Sequence, residues 1–172
     1  MRSTRIALLV TVLVLVAACA PQPGTAQQSS APQELTLVQG GDANTLDPQG
    51  SVNRVALNVV DTFAEALTQV DYSATSGAKV APMLATSWKL VNDTTWQFSL
   101  RQGVKFSNGE AFDANAAKFS FDRLMSGDLK SPQQTFLASV SHVDVVDSST
   151  INVVTKAPAP TLPLDLTWIY MV

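Results

Sequence analysis

Apolar and polar positions change their spacing several times between residues 34 and 172, and each change predicts an element. In "ELTLVQGG", Leu35, Leu37 and Gln39 alternate with Thr36 and Val38, which predicts a strand over Glu34–Gly41. Gly40, Gly41, Asp42 and Asn44 then break it. From Asn53 to Leu67, Val55, Ala56, Val59, Val60, Phe63 and Leu67 recur at helical spacing, with Arg54, Asp61 and Glu65 off that face. "YSATSGAKVAP" predicts a loop. "TSWKLV" and "WQFSLR" flank "NDTT", and Trp96, Phe98 and Leu100 on one side of the turn match Trp88 and Leu90 on the other. Alternation on both sides of a turn predicts a β-hairpin with those residues on its core face. "GVKF" extends the hairpin and "SNGE" is a turn. Asp113 is placed to cap a helix over Ala114–Met125 whose apolar face carries Ala117, Phe121 and Leu124. "VSHVDVVDSSTINVVT" predicts a second hairpin, with Val143 and Val145 answered by Ile151 and Val153 after a Ser-Ser turn.

The order strand, helix, hairpin, helix, hairpin implies an α+β or mixed α/β arrangement around a sheet. The hairpin tryptophans read as core, with a ligand-stacking role as the alternative. The chain ends on "LTWIYMV", apolar and without a polar tail. Exposed apolar surface costs about 25 cal/mol per Å². The expectation is a fragment with a sticky, uncovered end, the alternative being a buried terminal strand.

The beginning of the chain follows different rules. Arg2 and Arg5 precede an apolar run from Ile6 to Val16, and small residues lead to Cys19. A positive start, a short apolar core and a small-residue site are the parts of a secretory signal. The run falls short of the about 20 residues that span a bilayer, and no Lys or Arg follows it before Arg54. Ala20–Gln33 is uncharged and rich in Pro, Gln and Ser, the composition of a disordered tether reaching roughly 20 Å. The expected organisation is a signal over 1–18, a cysteine and tether over 19–33, and a folded part over 34–172.

Charge and composition narrow the function. The chain carries 11 Lys and Arg against 14 Asp and Glu, a net charge of −3. A mildly acidic chain without a basic cluster argues against nucleic-acid binding. One histidine and one cysteine leave no zinc pattern and little for a nucleophile and base. The sequence holds no Gly-rich phosphate loop and no G-x-S-x-G elbow. No cofactor is expected, and a hydrolase is disfavoured.

Two resemblances sharpen this reading. "LVAAC" resembles the lipobox of bacterial lipoproteins, which implies that Cys19 becomes the lipidated first residue of the mature chain; an ordinary signal beside a free thiol is the alternative. Pro82–Leu124 resembles the bacterial extracellular solute-binding proteins of family 5, which serve peptide and nickel ABC importers. The carriers are Leu84-Ala85-Thr86-Ser87-Trp88, the "LR-x-GVKF" strand within Trp96–Phe106, Asn108-Gly109-Glu110-Ala111-Phe112, and the "FSF-x-RL" helix end at Phe119–Leu124. Leu46-Asp47-Pro48 matches the family's "LDP", and the resemblance runs from about Leu35 to Pro160. Thr94 and Ala66 stand where the family often has glycine, and family members are several times longer.

This resemblance implies a periplasmic-binding-protein-like fold (type II, cluster C), of which the chain would hold an incomplete first lobe. It implies a non-catalytic, extracytoplasmic receptor, membrane-anchored through Cys19 and acting as a monomer with an ABC permease. Oligopeptide is the implied solute, with nickel chelate, glutathione, haem or oligosaccharide open. A structural surface lipoprotein is the remaining alternative. By position, Gly41, Asp42, Ala43 and Asn44 would form part of the ligand wall: small residues admit a ligand to the backbone, and Asp42 faces a ligand ammonium or merely solvent. Arg101 and Lys105 read as solvated charges at a strand end, with substrate contact as the alternative.

Overall fold

The computed structural model describes residues 34–73 and 77–172. The leader, Cys19 and the tether lie outside the described residues. The chain divides into two units, Met1–Val38 and Gln39–Val172.

In the first unit, residues 34–38 form no regular structure, and Leu35, Leu37 and Val38 are exposed. The strand expected over Glu34–Gly41 is therefore absent. A period-2 pattern makes a strand only where a neighbour takes up its backbone N–H and C=O groups, and no ladder among the described residues includes it.

The second unit is built on a four-stranded antiparallel sheet. Its strands are β3 (Ala85–Asn92), β4 (Thr95–Leu100), β5 (Val140–Asp147) and β6 (Thr150–Thr155), in the order β3-β4-β6-β5. Two hairpins thus meet along β4 and β6, where Phe98 pairs with Ile151 and Trp96 with Val153. Both hairpin turns are closed by local side chains: Asn92 Oδ1 accepts from Thr94 N–H at 3.0 Å and Asp147 Oδ1 from Ser149 N–H at 2.8 Å. Both hairpins were legible because the pattern and the turn chemistry agree.

Helix α2 (Ala114–Met125) covers one face of this sheet. Asp113 caps it, accepting from Asn115 and Ala116 N–H at 2.8 and 2.9 Å. Ala117, Phe121 and Leu124 are fully buried against Phe98, Val143, Ile151 and Val153. The expected core face of the first hairpin is only partly realised. Phe98 and Leu100 are buried, and Trp88 and Trp96 pack against the core half-covered, whereas Leu90 and Val145 point to solvent. These two lie near the bulges of the edge strands, where the ladder shifts between Leu90 and Asn92 and between Val145 and Asp147. "GVKF" does not extend the hairpin: β4 ends at Leu100, Lys105 forms only an isolated bridge with Ala111, and Gly109 turns the chain between them at φ +91°, which a side chain would strain.

Two further expectations change. Helix α1 covers Arg54–Val60 rather than Asn53–Leu67, and Phe63 is exposed. The backbone of 65–67 is recruited elsewhere: Glu65 C=O accepts from Met171 N–H at 2.9 Å and Leu67 C=O from Ala85 N–H at 2.8 Å. The predicted loop contains half of another hairpin, β1 (Thr68–Asp71) with β2 (Lys79–Pro82). The apolar end is buried rather than sticky, with Ile169 at 0% and Met171 at 5% exposure. Tyr170 bridges Ala66 and packs with Leu57, Val60 and Ala64 in a second, small cluster. A short helix, α3 (Leu162–Asp165), and a 3-10 turn (Leu166–Trp168) lead into this end.

Candidate functional site

The segment from Asn44 to Asn53 has no regular structure before α1, yet its polar groups close it on itself. Asp47 N–H donates to Thr45 Oγ1 at 3.1 Å, and Gln49 N–H to Asp47 Oδ1 at 2.9 Å. Ser51 Oγ donates to Asn44 Oδ1 at 3.1 Å and accepts from Asn53 N–H at 3.0 Å. Gly50 makes this closure possible. A Cβ there would lie 3.0 Å from Thr45 Cγ2 and 3.2 Å from Asp47 Cβ.

The rest of the unit holds this loop from outside. Arg123, in the last turn of α2, grips the Asp47 carboxylate with both terminal guanidinium nitrogens, at 2.5 and 3.1 Å, and also donates from Nη1 to Gln49 Oε1 at 2.9 Å. Asp47 and Arg123 side chains are less than a third exposed. The paired, forked geometry separates this contact from the exposed ion pairs that contribute about 0–1 kcal/mol. The hydrogen bond from Arg123 holds the Asp47 carboxyl below its usual range, against the opposing effect of burial. Gln49 is fully buried, and its amide donates to Ser120 C=O at 3.0 Å and Tyr170 C=O at 2.8 Å.

The 3-10 turn Pro132–Leu137 supplies the other side of the clamp. Gln133, fully buried, donates to Pro48 C=O and Ser51 C=O, both at 2.8 Å, and Ser131 Oγ donates to Gln49 C=O. Gln133 Oε1 has no partner among the described residues, and an unmet buried acceptor costs about 1–3 kcal/mol. The two bonds its amide makes to the loop offset that cost.

A cleft of about 610 Å³ lies beside this loop, between the end of α1 and the exit of β4. Phe63, Phe106 and Phe112 line it with Glu65, Arg101 and Lys105. Glu65 and Arg101 are 3.8 Å apart and both about half-exposed, and Arg101 also donates to Met83 C=O. Both basic residues read from sequence as solvated charges therefore border the cleft. Gly41, Asp42, Ala43 and Asn44 do not line it. Gly41, Asp42 and Asn44 are exposed, Ala43 is half-buried, and only Asn44 is tied to the clamped loop, through Ser51. Among the described residues, no three His, Cys, Asp or Glu side chains come together as metal ligands, and no helix is long and apolar enough to cross a membrane.

Sequence reading found "LDP" and "FSF-x-RL" separately and missed that Asp47 and Arg123 join them. Gln49, Ser131 and Gln133 were missed as well. Polar residues in irregular segments carry no periodicity, so nothing local marks them as buried.

The arrangement matches known proteins over most of its length. The model of the bacterial extracellular solute-binding proteins, family 5 (middle), matches residues 79–171, more than half of the 172-residue chain. The chain belongs to this family. Within the family, the glutathione-binding protein GsiB of Salmonella paratyphi A is 30% identical over 129 residues, covering 74% of this chain and 24% of the relative. Haemophilus influenzae OppA, solved in complex with RPPGFSPFR, superposes with a TM-score of 0.68 at 25% identity, over 77% of this chain and 29% of that one. NikA from Brucella suis, solved with Fe(III)-EDTA, gives 0.65 at 26% identity, over 76% and 26%. The chain spans about a quarter of the length of the curated relatives it matches. The family match reaches Met171, beyond Pro160, so it includes the buried terminal segment that the sequence resemblance left out. The mixed α/β, periplasmic-binding-protein-like fold expected from sequence is the fold observed.

Proposed function

We propose that this chain is the N-terminal part, a truncated first lobe, of a solute-binding lipoprotein that captures oligopeptides outside the cytoplasm and hands them to an ABC permease. The protein acts without catalysis or a cofactor, as a monomer, and does not bind nucleic acid. The observation that carries the reading is the family match over residues 79–171. The peptide preference draws support from two relatives, one named for glutathione, itself a small peptide, and one solved with RPPGFSPFR.

In this reading Gly41, Asp42, Ala43 and Asn44 form part of the ligand wall. Gly41 offers open backbone, since a Cβ there would meet nothing within 4 Å, and an extended peptide binds through such main-chain groups. Asp42, exposed at this wall, meets the ligand ammonium. Lobes closing on the solute provide the bound form that the permease recognises. Cys19, lipidated after removal of residues 1–18, anchors the protein, and residues 20–33 are its tether. More than one acyl chain is needed for stable anchoring.

Calorimetry on the full-length protein tests this with an equimolar mixture of tri- to pentapeptides, glutathione and a nickel chelate. Saturable binding of the peptide mixture is expected. Binding of the chelate with no heat from any peptide would replace oligopeptide by a metal complex, the reading that the Fe(III)-EDTA of NikA favours.

A further inference from the structure

We propose that Arg123 is a positioning residue for solute binding: through Asp47 and Gln49 it sets the closed Asn44–Ser51 loop and thereby the backbone of Gly41–Asn44. The inference rests on the ligand-wall reading above. Arg123 lies in the last turn of a capped helix whose Phe121 and Leu124 are fully buried, so its backbone is anchored by core packing. Its guanidinium makes three bonds to two residues of the loop, at 2.5, 3.1 and 2.9 Å. From Asp47 the path runs through Gln49, whose N–H meets Asp47 Oδ1, and around Gly50 to Ser51. Ser51 Oγ then holds Asn44 Oδ1. Gly40 and Gly41 lie beyond that tie, exposed and with open space around them. Nothing in their own packing fixes their backbone, so the direction in which they leave the loop is inherited from it.

The planar fork of arginine suits this task. It engages both carboxylate oxygens and a third acceptor at once, which a lysine ammonium cannot do in a fixed plane. A loop pinned before binding loses less freedom when a ligand orders it, which raises affinity without a new ligand contact.

The test uses the full-length protein with Arg123→Lys, Arg123→Ala, Asn44→Ala and the double variant Arg123→Ala/Asn44→Ala. Amide hydrogen exchange is read first, without ligand. Arg123→Ala should speed exchange at least tenfold at Asp47, Gln49 and Gly50, whose N–H groups bond within the loop, and leave β4 and β6 unchanged, with Arg123→Lys between it and the wild type. Unchanged exchange at Asp47, Gln49 and Gly50 overturns the proposal, whether or not any peptide binds. Affinity for the mixture of tri- to pentapeptides is read second. Arg123→Ala and Asn44→Ala should each weaken it about tenfold, and the double variant should be no more than twofold weaker than the weaker single one. Multiplying losses would mean that Arg123 does not act through Asn44, which also overturns the proposal. A wild type that binds no peptide would sink the oligopeptide reading, while the exchange result still decides the role of Arg123. Should Arg123→Ala fail to fold, Arg123→Lys carries both readings.

Discussion

The Tyr170 hydroxyl donates to the Asp61 carboxylate at 2.5 Å, tying the last strand-like segment of the chain to the C-cap of α1. Arg54 approaches the same carboxylate at 3.6 Å. Burial, and then the bond to Asp61, raise the phenol above its ordinary value. A phenol that holds its proton longer when folded stabilises the fold below the unfolded value of about 10. That contribution is lost as pH rises beyond it. Tyr170→Phe should cost about 1–2 kcal/mol in urea unfolding at neutral pH, because Asp61 is about half-exposed and regains water. An alkaline absorbance titration should lose its late component in the same variant.

The Trp88 and Phe98 rings pack 6.2 Å apart across the first hairpin, yet only Phe98 is fully buried. Phe98→Ala should cost about 3–5 kcal/mol, as large core truncations do. Leu90→Ser, at a solvent-facing position of the same hairpin, should stay within about 0.5 kcal/mol. Denaturant midpoints in the opposite order would shift the strand register by one residue.

Asp113 caps α2 through two backbone amides. Asp113→Ala should destabilise the protein by about 1 kcal/mol and Asp113→Asn by much less, since both Asp and Asn accept from those N–H groups. Equal losses in the two variants, measured by thermal unfolding, would show that the cap is not what Asp113 contributes.

Because Arg123 lowers the Asp47 pKa in the folded state, the unfolded chain takes up this proton more readily. The stability from the pair is present above the unfolded value of about 3.9 and lost as pH falls through the lower folded value. The midpoint difference between wild type and Asp47→Asn should therefore be largest near neutral pH and shrink below about pH 4. A difference that stays constant to pH 2 would mean that the carboxylate charge contributes nothing.

Cys19 is expected to carry the anchor. In a host with the lipoprotein pathway, Cys19→Ser should leave the protein uncleaved at that site or free of the membrane fraction. A variant processed and retained like the wild type would rule out lipidation at Cys19.

The elements that could be read from sequence alone are those whose determinants sit close together in the chain. The β3–β4 and β5–β6 hairpins needed only alternation and a side chain at Asn92 or Asp147 to close the turn. Helix α2 needed its period and the Asp113 cap. Tertiary structure decided the rest, because backbone groups and buried polar atoms accept whichever partner the fold brings. Residues 65–67 continue the helical pattern of α1, but the helix stops at Val60 and the carbonyls of Glu65 and Leu67 accept from Met171 and Ala85 N–H instead. Gln49 and Gln133 look like surface residues in sequence, and only the loop packed between α2 and the 3-10 turn gives them partners that justify burial. Asp47 and Arg123 stand in two recognisable motifs, and their pairing is visible only once the helix lies against the loop.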